Sequence, residues 1–150
     1  LVSLRIDFNN LTQWDNNWRA GESSYRFISI RFNQITEIPD DAFKNIPNSY
    51  AIHLQGNKIR KISPNAFHQL ESVYDFDLAN NEIDRWDPDF LGSTNLAILN
   101  LSGNKLECVE GDLNTVFRNV RLIKFEDNPW NEECAKKIEE FLEYKNTLPW

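Results

Sequence analysis

The chain has 150 residues, with 23 acidic against 16 basic side chains and a formal charge of −7. That length points to one domain. The acidic balance, with Lys and Arg scattered and no visible basic patch, argues against nucleic acid or an anionic membrane surface as partner. No apolar run is long enough to cross a bilayer, so membrane insertion by this segment is not expected.

The chain opens on "LVSLRIDFNNL", with Leu1, Leu4, Ile6 and Leu11 apolar and Asn9 among them. The phrase returns as "YRFISIRFNQI" from Tyr25, "SYAIHLQGNKI" from Ser49, "VYDFDLANNEI" from Val73, "LAILNLSGNKL" from Leu96 and "VRLIKFEDNPW" from Val120. The asparagines Asn9, Asn33, Asn57, Asn81, Asn104 and Asn128 are thus spaced by 24, 24, 24, 23 and 24 residues. An array of this kind needs at least three or so repeats to bury a continuous core, and six are present. Each copy predicts a short strand followed by an inward turn. An Asn amide both donates and accepts, so a stack of six can satisfy the backbone groups that such turns bury. Their expected role is to hold the fold.

The second halves of the repeats are less uniform. "ITEIPDDAFKNI" and "IRKISPNAFHQL" share the spacing of Ile35, Ile38, Phe43 and Ile46 with Ile59, Ile62, Phe67 and Leu70. The first repeat uses Trp14 and Trp18, the fourth is one residue short around Phe90, and the fifth sets Leu113 near the expected Phe.

The pattern L-x-x-L-x-L-x-x-N-x-L resembles the leucine-rich-repeat family over residues 1–130, in the 24-residue variety common in extracellular proteins. The resemblance implies an α/β fold: a right-handed solenoid with six parallel strands on its concave face and a helical C-terminal cap. Residues 1–130 form the solenoid, with repeats starting near 1, 25, 49, 73, 96 and 120; residues 131–150 form the cap helix and tail.

"NPWNEEC", Asn128 to Cys134, is similar to the N-P-W-x-C start of the cap in secreted and cell-surface members. Two extra residues separate Trp130 from Cys134, and the usual second cysteine nearby is missing, so a reduced cap with one bridge fits better than a full two-disulfide cap. Cys108 and Cys134 fall at similar phase on neighbouring coils. With strands about 4.8 Å apart, that places them within disulfide reach; two unpaired thiols in a cytosolic protein are the alternative. "NEECAKKIEEFLEYKN" reads as a helix capped by Asn131, with Glu132 and Glu133 at its positive end and Ile138, Phe141 and Leu142 on one face. Ending before Pro149, it is too short to found a coiled coil.

No nucleophile motif, Gly-rich phosphate loop or zinc spacing occurs, so enzyme chemistry, cofactor and metal are not expected. What remains is the concave sheet. Strand alternation turns the third, fifth and seventh residues of each copy outward. The third row reads Ser3, Phe27, Ala51, Asp75, Ile98 and Leu122; the fifth reads Arg5, Ser29, His53, Asp77, Asn100 and Lys124; the seventh reads Asp7, Arg31, Gln55, Ala79, Ser102 and Glu126. Tyr50 and Tyr74 flank the rows at the second position. Apolar and aromatic anchors beside isolated charges suit protein recognition. The partner-binding candidates are Phe27, Arg31, Tyr50, His53, Tyr74, Asp75, Asp77, Ile98 and Lys124, although Ile98 and Leu122 could instead pack under the cap. His53 and Asp77 share a position in adjacent coils, with Asp75 nearby. That offers a pH-sensitive contact or weak metal site on one reading, and a solvated pair of little consequence on the other. Phe8 and Phe32 are equivalent and should stack, for recognition or under an upstream coil.

Sequons stand at Asn10 and Asn100. Asn10 belongs to a turn, whereas a glycan on Asn100 would obstruct part of the concave face. Leu1 already begins a repeat with no capping segment before it. The expectation is an upstream portion missing from a mature form or fragment, or an edge that meets a partner or another copy. The family resemblance implies non-catalytic recognition of a protein ligand or receptor outside the cell, as in receptor, matrix and innate-immune members. The short, cysteine-poor form resembles secreted arthropod immune or salivary members. The alternatives are an assembly module that self-associates through its N-terminal edge, and an intracellular scaffold.

Overall fold

The computed structural model describes residues 2–16, 25–44 and 46–149; Leu1 and Trp18, on which two expectations rest, lie outside them. In chain order the elements are β1 (Val2–Arg5), β2 (Tyr25–Ser29), β3 (Glu37–Ile38), β4 (Asn48–His53), β5 (Lys61–Ile62), β6 (Ser72–Asp77), β7 (Asn95–Asn100), α1 (Leu113–Val116), β8 (Val120–Lys124) and α2 (Glu132–Thr147). Six of the strands form one parallel sheet in the order β1-β2-β4-β6-β7-β8. The short β3 and β5 pair on the far side of the coils.

The register follows the repeat. Leu4, Ile28, Ile52, Phe76, Leu99 and Ile123 stand opposite one another from strand to strand. Four of these six, Ile28, Ile52, Phe76 and Leu99, are at most 1% exposed, so this row forms the floor of the core. Burial of each such side chain favours folding by roughly 1.5–3 kcal/mol.

The asparagines act as the backbone argument requires. Asn57 Nδ2 donates to Ile30 O at 2.8 Å while its Oδ1 accepts from Ile35 N at 3.2 Å, both on the preceding coil. Asn33, Asn81, Asn104 and Asn128 repeat the pattern with Leu11, Ile59, Ile83 and Leu106 as amide donors. Asn9 departs from it. It is exposed and donates only within its own coil, to Ile6 O and Asp7 O. The ladder is therefore five rungs that link coils, with Asn9 bonding within its own coil. Immediately before each rung stands a left-handed residue: Phe8, Phe32, Gly56, Asn80, Gly103 and Asp127, with φ between 53° and 75°. The Phe8 and Phe32 rings stack at 4.8 Å, as expected, but both are exposed.

Behind the sheet runs an aromatic column. Phe43 stacks on Phe67 at 5.9 Å, Phe67 on Trp86 at 6.3 Å, and Trp86 meets Phe117 at 6.2 Å. In the irregular fourth and fifth repeats, then, Trp86 and Phe117 carry the column. Phe90 packs edge-on against Trp86, and Leu113 opens α1. The indole and the phenylalanine reach the same space from other positions, which is how the shortened repeat keeps its core filled.

Helix α2 runs for 16 residues, the length of the segment that the sequence marks as helical. Asn131 caps it by accepting from Cys134 N at 2.9 Å, and Ile138 and Phe141 are buried. Cys108 and Cys134 form a disulfide, and Lys137 Nζ donates to Val109 O at 2.9 Å. Thus the helix is fixed to the last coils by packing, by a covalent bond and by a charge-assisted hydrogen bond.

Candidate functional site

Outward direction does not secure exposure on the strand face. Ala51, Ser29 and Ala79 are buried, because small side chains in these rows lie between larger neighbours. Phe27 stands beside Ala51 in the register and is half-buried itself. The Arg5 guanidinium lies 4.6 Å above its ring, and the His53 imidazole meets it edge-on at 5.3 Å. Leu122 is 43% exposed, so the cap does not cover it; Ile98 is half-buried. Lys124 is exposed on β8; backbone N–H groups, the Ser102 hydroxyl and the Lys124 charge together hold the Glu126 carboxyl below its usual pKa against the effect of burial.

His53 pairs with Asp75, not with Asp77 at its own position in the next coil: His53 Nε2 lies 3.0 Å from Asp75 Oδ2. The Asp77 carboxylate turns along its own chain instead and accepts from Ala79 N at 2.9 Å. Burial pushes the Asp77 pKa up, and the Asp75 charge adds to this. The Ala79 N–H, the charge of His53 and the Asn100 amide oppose the rise without cancelling it. Among the described residues no group of three or more His, Cys, Asp or Glu side chains could hold a metal ion.

A second cluster ties the first two coils together. Asp7 Oδ1 accepts from Ser29 Oγ at 2.7 Å and from Arg31 N at 2.8 Å, while Oδ2 takes the Arg31 guanidinium at 2.9 Å. Burial alone would raise the Asp7 pKa, but the Arg31 side chain, the Ser29 hydroxyl and the Arg31 N–H together hold it below the usual value. Arg31, a binding candidate from sequence, is therefore committed to an internal contact.

Tyr50 and Tyr74 lie at the margin of the sheet where the strands begin. Their rings stack at 5.2 Å with planes 4° apart, and both remain more than half exposed. They form one wall of a groove of about 840 Å³. Arg26, Arg118, Arg121 and Lys145 also line it, and no acidic side chain among the described residues does. The sequence gives no visible basic patch; the fold assembles one. Its second-position row reads Arg26, Tyr50, Tyr74, Ala97 and Arg121, a signal present in the repeat alignment. Arg118 and Lys145 come from outside the strands and follow no repeat position.

Of the two sequon asparagines, Asn10 is exposed. Asn100 is half-buried, with its Oδ1 accepting from Ser102 N at 3.1 Å.

Residues 23–83 match the family described as "Leucine rich repeat", and the same coil architecture extends on both sides of that segment. The chain has the leucine-rich-repeat fold. Among solved structures, a leucine-rich-repeat protein of Leptospira interrogans superposes with a TM-score of 0.76 at 24% identity, covering 95% of this chain and 36% of that one. A TLR13–ssRNA13 complex superposes with a TM-score of 0.74 at 16% identity, covering 83% of this chain and 18% of that one. The chain thus spans about a third and about a fifth of the proteins it resembles in fold. No curated protein sequence matches it significantly. No helix among the described residues is long and apolar enough to cross a membrane.

Proposed function

We propose that this chain is a non-catalytic protein-recognition module that works outside the cell and binds its partner through the strand face. The observation that carries the reading is the group of Arg5, Phe27, His53 and Asp75. Here an aromatic ring is held between a cation and an imidazole, and the imidazole is fixed in turn by a carboxylate. Such a group offers apolar area and directional polar contacts without rearrangement, which reduces the ordering entropy lost on binding. The disulfide between Cys108 and Cys134 supports an oxidising compartment. Exposed Asn10 is the better glycan acceptor, since Asn100 is half-buried and its Oδ1 accepts from Ser102 N. A nucleic acid is bound by the TLR13 neighbour; for this chain the net charge of −7 favours a polypeptide.

The test is affinity capture from the extracellular fluid of the source organism. Wild type is compared with Phe27→Ala/Asp75→Ala and with a control change on the opposite face, Lys44→Ala. A partner retained by the control and lost with the double variant supports the reading; identical capture by all three removes the site from the strand face. Light scattering addresses the assembly alternative, which a concentration-dependent dimer abolished by Leu4→Lys would favour. Glycopeptide mapping should find Asn10 occupied and Asn100 bare.

A further inference from the structure

The groove where the strands begin is separate from the Phe27–His53 group, and its chemistry is more specific. Three features set it apart. Its lining side chains are cationic, aromatic or neutral in a protein that is acidic overall. Its middle presents two exposed, mutually stacked tyrosines, whose outward faces and edges suit a further ring. Finally, Ser49 lines it, and its hydroxyl is buried without a hydrogen-bond partner. Ser49 holds the first position of its repeat, where the next two coils carry the apolar Val73 and Leu96. An unpaired buried hydroxyl is unfavourable unless a ligand group bonds to it.

We infer that this groove binds an extended acidic peptide segment that carries an aromatic side chain, the acids meeting the cations at the two ends and the ring meeting Tyr50 and Tyr74. The inference rests on the protein-recognition reading only in making the ligand a polypeptide. From Arg26 on the second coil to Arg121 on the sixth there are four inter-strand steps, ~19 Å at the usual spacing. Six extended residues at roughly 3.3 Å each cover that span. Between the ends lie Asn48, Ser72 and Asn95, whose amides and hydroxyl suit peptide N–H and C=O groups. Ser72 Oγ already donates to Asn48 Oδ1 at 2.6 Å, and Asn48 donates to Glu71 at 3.4 Å, so one carboxylate does reach the rim. A single-stranded nucleic acid is the poorer fit. It needs cations tracking every phosphate, whereas here they cluster at the ends and the rest of the surface repels a long polyanion.

The experiment maps binding on the whole isotope-labelled chain by NMR, using the peptide Glu-Asp-Phe-Ser-Glu-Asp as probe. Its comparisons are the same peptide with Lys for every acid, the peptide with Ala for Phe, and a hexathymidylate. The expected result is a set of shifts at Ser49, Tyr50, Tyr74 and Asn95 with the acidic peptide alone, weakening as salt is raised. Reversing two cations, Arg26→Glu/Arg118→Glu, should weaken binding by about tenfold or more. Removing the ring, in the peptide or by Tyr50→Ala/Tyr74→Ala, should weaken it by roughly fivefold. All these positions are exposed, and unchanged circular dichroism would verify folding. Shifts that avoid the groove, or equal binding of the lysine peptide, overturn the inference. So does tighter binding of the hexathymidylate at the same residues, which would reassign the groove to nucleic acid. None of these results touches capture through Phe27 and Asp75, so the two proposals fail separately.

Discussion

Replacing Asn81 by alanine removes four hydrogen bonds from the centre of the solenoid, and the bonds are not equivalent. Asn81 Nδ2 donates to Leu54 O at 3.1 Å, Leu78 O at 3.0 Å and Ala79 O at 3.2 Å. Leu54 O keeps a donor in Asn57, and Leu78 O keeps one in Asn104. Ile59 N, by contrast, gives its proton to Asn81 Oδ1 at 3.0 Å, and that acceptor has no replacement. An orphaned buried N–H destabilises by about 1–3 kcal/mol, and the lost donor bonds add roughly 1 kcal/mol. The expected loss is about 3 kcal/mol, equivalent to roughly 6–12 °C in Tm for a chain of this size. Asn9→Ala supplies the comparison: that side chain is exposed and serves only two carbonyls of its own coil, so the loss should stay below about 1 kcal/mol. Urea and thermal unfolding of both variants measure the difference. Equal losses would refute the view that the ladder acts through links between coils.

Asp7→Asn should destabilise at pH 7 by about 1–2 kcal/mol through its charge-assisted bonds. Because folding lowers the Asp7 pKa, the contribution is present above the ordinary value of 3.8 and is lost as pH falls through the lower folded value. The difference between variant and wild type should therefore shrink in acid. Asp77 has the opposite sign: its folded pKa is raised, so its ionisation penalty is absent below 3.8 and grows as pH rises through the folded value. Asp77→Asn should thus be more stable than wild type at pH 7 and equal to it near pH ~3, as followed by Tm across that range. Removing the disulfide with Cys108→Ala/Cys134→Ala opens a link between residues 26 apart. This should lower stability by about 3.5 kcal/mol in the chain-entropy model, with wild type in reductant behaving likewise and the variant insensitive to it. Gly56→Ala should destabilise by roughly 2 kcal/mol through its left-handed backbone and the crowding of a new Cβ. That Cβ would lie 2.4 Å from Phe32 Cδ1 at a φ of +75°. Adding Phe32→Ala should recover the crowding part, and a double-mutant cycle in urea measures it.

Much of the fold is legible in the residues themselves because a solenoid makes each repeat face the same neighbours. The 24-residue step fixes which Leu, Ile and Phe stand opposite one another, and Asn at the ninth position announces a buried turn that needs both a donor and an acceptor. The helix at Glu132–Thr147 declares itself through the Asn131 cap and an apolar face. The Cys108–Cys134 pair follows from phase along the repeat. All of these are local or periodic properties, and periodicity survives translation into space.

Tertiary structure alone decided what lies across the repeat. The partner of His53 depends on where the Asp77 carboxylate turns, and that turn is set by the Ala79 N–H, not by strand register. Trp86 and Phe117 replace the expected positions in the aromatic column because space, not sequence phase, selects the side chain that fills it. The cations of the groove come from a strand start, an outer loop and the far end of α2, separated by as much as 119 positions from Arg26 to Lys145. A scattered charge pattern in one dimension becomes a concentrated one once the coils stack, because electrostatic potential depends on distance through space and the fold sets that distance.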